Sequence, residues 1–140
     1  MGATNSDLSK YVNKNLKQLQ NAGHKLHAVI WLQGEDDNIR NTRPEEYILY
    51  FNKMKFQILE GLIDNDGVKF IVTQTTFCGM NGVNIKLRNA QKSLANDKNT
   101  FVTEGTDNIL TNYRFDLCHL NIFGTEAIAK EISSILNSFN

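Results

Sequence analysis

The stretch Ala28-Val29-Ile30-Trp31-Leu32-Gln33-Gly34-Glu35-Asp36-Asp37-Asn38 decides the fold. A continuous apolar run breaks abruptly into a glycine and a polar, mostly acidic cluster. A short apolar run ended this way reads as a buried strand that delivers side chains to a loop at its C-terminal end. In open α/β sheets that edge is where ligands bind. Taken alone, the same letters also fit a core strand followed by a solvated acidic turn.

The flanking sequence supplies the context. Upstream, Leu8, Tyr11, Val12, Leu16 and Leu19 follow helical spacing from Asp7, with Ser6 or Asp7 as cap and Gly23 as the stop. Downstream, Thr42-Arg43-Pro44-Glu45 opens a helix with Thr42 as its cap. Its apolar face is Tyr47, Tyr50, Phe51, Met54 and Ile58, and it ends near Gly61. After the Asn65-Asp66-Gly67 turn, Val68 to Gln74 is a second buried strand, with a loop over Phe77 to Gly82 at its end. Val83, Leu87, Ala90 and Leu94 mark a third helix, and Thr100 to Glu104 a third strand. A polar loop through Asp107, Asn112 and Arg114 leads to Asp116-Leu117-Cys118-His119. The last helix carries Ile128, Ile132, Ile135 and Leu136 on one face.

Strands alternating with helices define the α/β class, a parallel sheet with helices on both faces. The chain is read as a single domain over residues 1–140. Three strands make a thin sheet where ~4–6 are usual, and a helix precedes the first strand. Both features lead us to expect the front of a larger domain outside residues 1–140.

Composition excludes several functions. Lysine plus arginine total 15 and aspartate plus glutamate total 15, so no basic excess exists to hold a nucleic-acid backbone. No apolar run is long enough to cross a bilayer, and residues 1–25 do not resemble a signal peptide. The sequence does not fix a cellular location.

By this topology Gln33–Asp37, Cys78–Asn81 and Asp116–His119 all follow strand ends and converge on one edge. His119 is the best candidate base in the chain. His24 and His27 belong to the opposite edge and read as structural or solvent-facing, since catalysis needs mutual proximity. Asp116, three residues before His119, is placed to accept the imidazole Nδ1 hydrogen and fix its tautomer. A metal site from Asp36, Asp37, Asp116 and His119 has no diagnostic spacing, and neither metal nor cofactor is expected.

These residues carry a resemblance. Trp31-Leu32-Gln33-Gly34-Glu35-Asp36-Asp37 resembles the W-x-Q-G-E-x-D block of the SGNH hydrolases, in the sialate O-acetylesterase and family 6 carbohydrate esterase branch. Asp116-Leu117-Cys118-His119 resembles the D-x-x-H block of that superfamily, and Arg88, Ala90 and Gln91 its R-x-A-Q helix. The resemblance implies a three-layer, flavodoxin-like α/β/α sandwich and a serine esterase acting on acetylated carbohydrates. It implies His119 as general base and Asp116 as its orienting partner. The Gln33 amide would be a side-chain oxyanion donor in the Gln33-Gly34 segment, with Asp37 in support. Glu35 would support the histidine, or else pair with Arg88 to hold the loop; we favour support. Gly2-Ala3-Thr4-Asn5-Ser6 resembles a G-G-T-S segment in which Gly2 would supply another oxyanion donor, while a terminus ahead of a helix cap reads equally well.

One departure stands out: the superfamily's Gly-Asp-Ser or Gly-Gln-Ser-Asn nucleophile block is missing. The serines are Ser6, Ser9, Ser93, Ser133, Ser134 and Ser138, and none follows a strand. We therefore expect the nucleophile upstream or on another chain, and an exposed strand edge that pairs with that piece or with a second copy. Cys78 and Cys118 are read as two free thiols, with a disulfide bracing the histidine loop as the alternative. The rival reading is a non-catalytic carbohydrate-binding or assembly subunit that keeps the esterase fold. A nucleotide-binding domain is disfavoured, because no glycine-rich phosphate loop follows any strand.

Overall fold

The computed structural model describes residues 7–139. Helix α1 spans Asp7–Asn21, strand β1 Ala28–Trp31, helix α2 Glu35–Ile39 and helix α3 Pro44–Gly61. Strand β2 spans Lys69–Thr73, helix α4 Ile85–Ser93, strand β3 Thr100–Thr103 and helix α5 Ile122–Asn137. The strands form one parallel sheet in the order β1-β2-β3, with Ile30 opposite Ile71 and Ile71 opposite Phe101.

The alternation of side chains along β2 builds the two outer layers. Phe70 and Val72 point to one face, where they meet Tyr47 and Phe51 of α3, Leu87 of α4 and Leu94. Ile71 points to the other face, where Ile128 and Ile132 of α5 cover it. The result is the expected three-layer α/β/α arrangement around a central strand that is buried from Phe70 to Thr73. Helix α1 seats Leu16 against the α3 side, and its Asn13 amide donates to the Gln57 carbonyl at 3.2 Å.

Several expectations are corrected. Strand β1 is an edge strand and only half-buried: Ile30 is 49% exposed, because it lies on the α5 face with no helix above it. Tyr11 and Leu19 of α1 are exposed and not part of an apolar seam. The cap of α3 is Arg43 and not Thr42; Glu46 reaches back to accept from the Arg43 amide at 3.3 Å. The segment after β1 is not a plain loop, since Glu35, Asp36 and Asp37 form the first turn of α2. The expected Ser6 cap and the segment around Gly2 lie outside the described residues.

Candidate active site

The site is built on the loops that leave the C-terminal ends of the three strands. After β1 the chain turns at Gly34 into α2, and this turn is packed against the segment after β2. A Cβ placed on Gly34 would lie 1.9 Å from the Thr75 carbonyl oxygen and 2.5 Å from the Gln91 amide nitrogen. Only glycine fits there. Gly34→Ala is expected to cost about 3 kcal/mol or more, as overpacking against immovable backbone does. Denaturant unfolding measures the loss.

Gln91 is the reason the turn holds its shape. Its side chain is fully buried and accepts from the Thr75 amide at 3.1 Å. Its amide nitrogen sits 3.1 Å from the Gln33 carbonyl and 3.2 Å from the Tyr47 hydroxyl. The Tyr47 hydroxyl in turn donates to the Gln33 carbonyl at 3.1 Å. Burial pushes the Tyr47 phenol up to about 12, so it remains a donor across the physiological range. The backbone of Gln33 is thereby pinned, while its side-chain amide donates to the Asp37 carboxylate.

Helix α2 is tied to the loop after β2 by Asn38. Its amide donates to the carbonyls of Thr76 at 2.8 Å and Gly82 at 2.9 Å, and its oxygen accepts from Asn84 at 3.1 Å. The same loop is tied to the segment after β3 by Asp107. That carboxylate accepts from the Thr76 amide and hydroxyl, both at 2.6 Å, and from the Phe77 amide at 2.7 Å. Asn38 and Asp107, buried and paired in this way, tie the strand ends together, while Thr103 Oγ1, Thr106 Oγ1 and Arg114 Nε nearby are buried without a partner among the described residues.

His119 stands on a loop locked to these strand ends. An isolated antiparallel bridge joins Arg114 to Leu120, and the Phe115 amide donates to the His119 carbonyl at 3.0 Å. Arg114 is buried; its guanidinium donates to the carbonyls of Cys118 and Thr106 and packs on the Phe77 ring at 4.7 Å. Burial lowers its pKa, while Glu35, Asp107 and Asp116 act in the opposite sense. Cys78 and Cys118 are joined in a disulfide, which corrects the expectation of two free thiols. The Gly79 amide adds a bond to the Leu117 carbonyl at 3.0 Å, so the loops after β2 and β3 meet at these residues.

Within the locked loop, Asp116 Oδ1 accepts from the amides of Cys118 at 3.0 Å and His119 at 2.6 Å. Asp116 Oδ2 lies 2.6 Å from His119 Nδ1, so the Nδ1–H donates to the carboxylate. The bond with His119 holds the Asp116 carboxyl down at about 2 and raises the imidazole above its ordinary value. Nδ1 is occupied, and among the described residues Nε2 of His119 has no hydrogen-bonding partner. The imidazole is 65% exposed. An oriented ring with its second nitrogen open to solvent has the geometry that a general base requires.

Glu35 lies in the field of both His119 and Arg114 and makes no hydrogen bond to His119 among the described residues. Burial raises its pKa. Arg88 does not pair with Glu35. It bonds the Gln74 side chain at 2.8 Å and Glu104 at 3.3 Å, bracing the extensions of β2 and β3. Among the described residues no group of three or more histidines, cysteines or carboxylates is gathered to hold a metal ion. Asn38, Asp107 and Arg114 were read only as members of polar segments and given no role, since nothing in their local sequence announces the contacts they make.

The imidazole–carboxylate pair lies on the C-terminal edge of a parallel α/β sheet, an arrangement in keeping with the fold class of the SGNH superfamily. The family model for carbohydrate esterases, sialic acid-specific acetylesterases, matches residues 4–136, and the chain belongs to this family. No curated protein and no solved structure matches the chain closely enough to add to this. No helix among the described residues is long and apolar enough to cross a membrane.

Proposed function

We propose that the chain serves in the hydrolysis of O-acetyl esters on carbohydrates. His119 acts as general base, Asp116 fixes its tautomer and stabilises the imidazolium, and Gln33 is the side-chain oxyanion donor. The observation that carries this reading is the oriented imidazole with a bare Nε2 on the strand edge that also carries the Gln33-Gly34 turn. Asp37 takes one Gln33 amide hydrogen and leaves the second free for an oxyanion, the kind of donor worth roughly 3–4 kcal/mol in a hydrolase. Glu35 supports His119 through space, its charge favouring the imidazolium.

The nucleophilic hydroxyl would come from outside residues 1–140, upstream or on another chain. Ser9 belongs to α1, Ser93 to α4, Ser133 and Ser134 to α5, and Ser138 follows α5. The free edge of β1, with Ile30 half-exposed beside it, is a suitable seat for the strand that would bring the serine. Without that hydroxyl no acyl-enzyme forms.

Residues 1–140 alone are therefore expected to leave p-nitrophenyl acetate at its background rate. Co-expressed with its upstream coding sequence, the protein should react with a fluorophosphonate at a serine outside residues 1–140. Robust hydrolysis by the isolated chain, abolished by Ser6→Ala or Ser9→Ala, would overturn the placement of the nucleophile. No labelled serine and no hydrolysis in the co-expressed protein would leave a carbohydrate-binding subunit with an inactive site.

A further inference from the structure

Beside the histidine stands a side chain that the dyad does not require. Phe115 is 71% exposed, and its ring stacks on the His119 imidazole with centroids 5.7 Å apart and planes 18° from parallel. Exposed apolar side chains are ordinary, and Leu117, Ile122 and Phe123 are exposed as well; what sets Phe115 apart is its stacking on the imidazole. The backbone is built to hold it there. The Phe115 amide bonds the His119 carbonyl, the neighbouring Arg114 pairs with Leu120, and the disulfide anchors the loop on its other side. Leu117, also exposed, keeps a left-handed φ of 61°, a conformation that is strained for leucine and tolerated where the surroundings impose it.

We propose that Phe115 is the platform on which the sugar ring of the substrate lies, so that it sets specificity for pyranosides over simple acetate esters. This rests on the esterase reading of the same site. The negative face of a phenyl ring attracts the weakly positive C–H bonds on one side of a pyranose. A ring stacked nearly parallel on the catalytic imidazole keeps its inner face against His119 and offers its outer face to the ligand. A sugar on that outer face has the phenyl ring between it and the imidazole, so its acetyl ester would reach the His119-activated hydroxyl past the edge of the Phe115 ring. An acetyl group is too small to need such a surface, which assigns it to the alcohol side of the ester. A docking protein strand is a poorer occupant. A strand would add to the unpaired outer edge of β1 or of β3, whereas Phe115 belongs to no strand and stands on a loop fastened to the segments after β2 and β3.

The test is an NMR titration of the 1–140 chain, following the Phe115 ring and the His119 Cε1–H. The probes are methyl O-acetyl-pyranosides of glucose, xylose and N-acetylneuraminic acid, with ethyl acetate as the sugar-free ester. The expected result is that at least one pyranoside shifts both residues and that ethyl acetate leaves Phe115 unmoved. Phe115→Ala and Phe115→Leu should weaken that pyranoside roughly ten-fold, as loss of an aromatic contact does, while Phe115→Trp retains it. Because the side chain is exposed, each variant should fold as the parent does, which amide spectra report. Unchanged affinity in Phe115→Leu would overturn the proposal, since generic apolarity would then suffice. So would equal shifts with ethyl acetate, which would make the ring an acyl contact. If no pyranoside moves Phe115 while the fluorophosphonate finds its serine, the platform falls and the esterase stands. If the shifts appear and no serine is labelled, the platform stands on a binding protein.

Discussion

Replacing both Cys78 and Cys118 by serine is expected to lower stability by roughly 4 kcal/mol. The bond closes a loop of sequence separation 40, and freeing a loop of that length restores a large entropy to the unfolded chain. The loss should be local in its structural consequence. The sheet core of Phe70, Ile71 and Val72 makes no use of the disulfide, so far-ultraviolet dichroism should survive at low denaturant. The Asp116–His119 loop depends on it more. Without the bond, that loop keeps the Gly79–Leu117 contact, the Asp107 carboxylate under Thr76 and Phe77, and Arg114 across Cys118 and Thr106. Faster amide exchange confined to residues 114–120 is the expected pattern, alongside a shift in the denaturation midpoint. Uniformly faster exchange across β2 would show instead that the disulfide holds the whole fold.

How much of this was legible in the sequence depends on whether the cause was local. The strands and their parallel order were readable because each apolar run carries its own period and ends in a turn residue. The exposure of Ile30 was not, because burial on an edge strand depends on what lies beside it and above it. Helix α2 is too short to show a period, and its acidic residues read equally well as a solvated turn. The cap of α3 moved from Thr42 to Arg43 because two acidic residues in succession, Glu45 and Glu46, both lie within reach of a cap, and Glu46 closes the box. The pairing of Cys78 with Cys118 needs a Cα–Cα approach of 4.2 Å between two loops, which no spacing in the chain announces. Asp107 and Arg114 are lone charges in a polar loop until the fold buries them against Thr76, Phe77 and Cys118. Gln91 was visible only through its motif. Its work, fastening Gln33 and Thr75, appears once the strand ends meet.

Asp116→Asn should lower two observables, the His119 pKa and the plateau rate. With the carboxylate present, the imidazole is raised above its ordinary value near 6.5, chiefly by the Asp116 hydrogen bond. A base works only when neutral, so the acid limb of activity in the nucleophile-bearing enzyme should lie above that value and climb as pH rises through it. Asparagine removes the charge, so the His119 pKa falls and the limb shifts to lower pH. The same change loosens the tautomer and withdraws the charge that stabilises the imidazolium in the transition state. The plateau rate should therefore drop by a factor on the order of 10²–10⁴, a size known for the corresponding change in serine hydrolases. Stability should respond little, because both side chains are substantially exposed and such pairs contribute weakly. The sign is nonetheless fixed. The His119 part is present below the ordinary histidine pKa and lost as pH rises through the raised one. The Asp116 part is present above the ordinary 3.8 and lost as pH falls towards about 2. An imidazole NMR titration of His119 in residues 1–140 checks the shift without needing turnover. A His119 pKa unmoved by Asp116→Asn would remove Asp116 as its partner and leave Glu35 as the carboxylate that serves it.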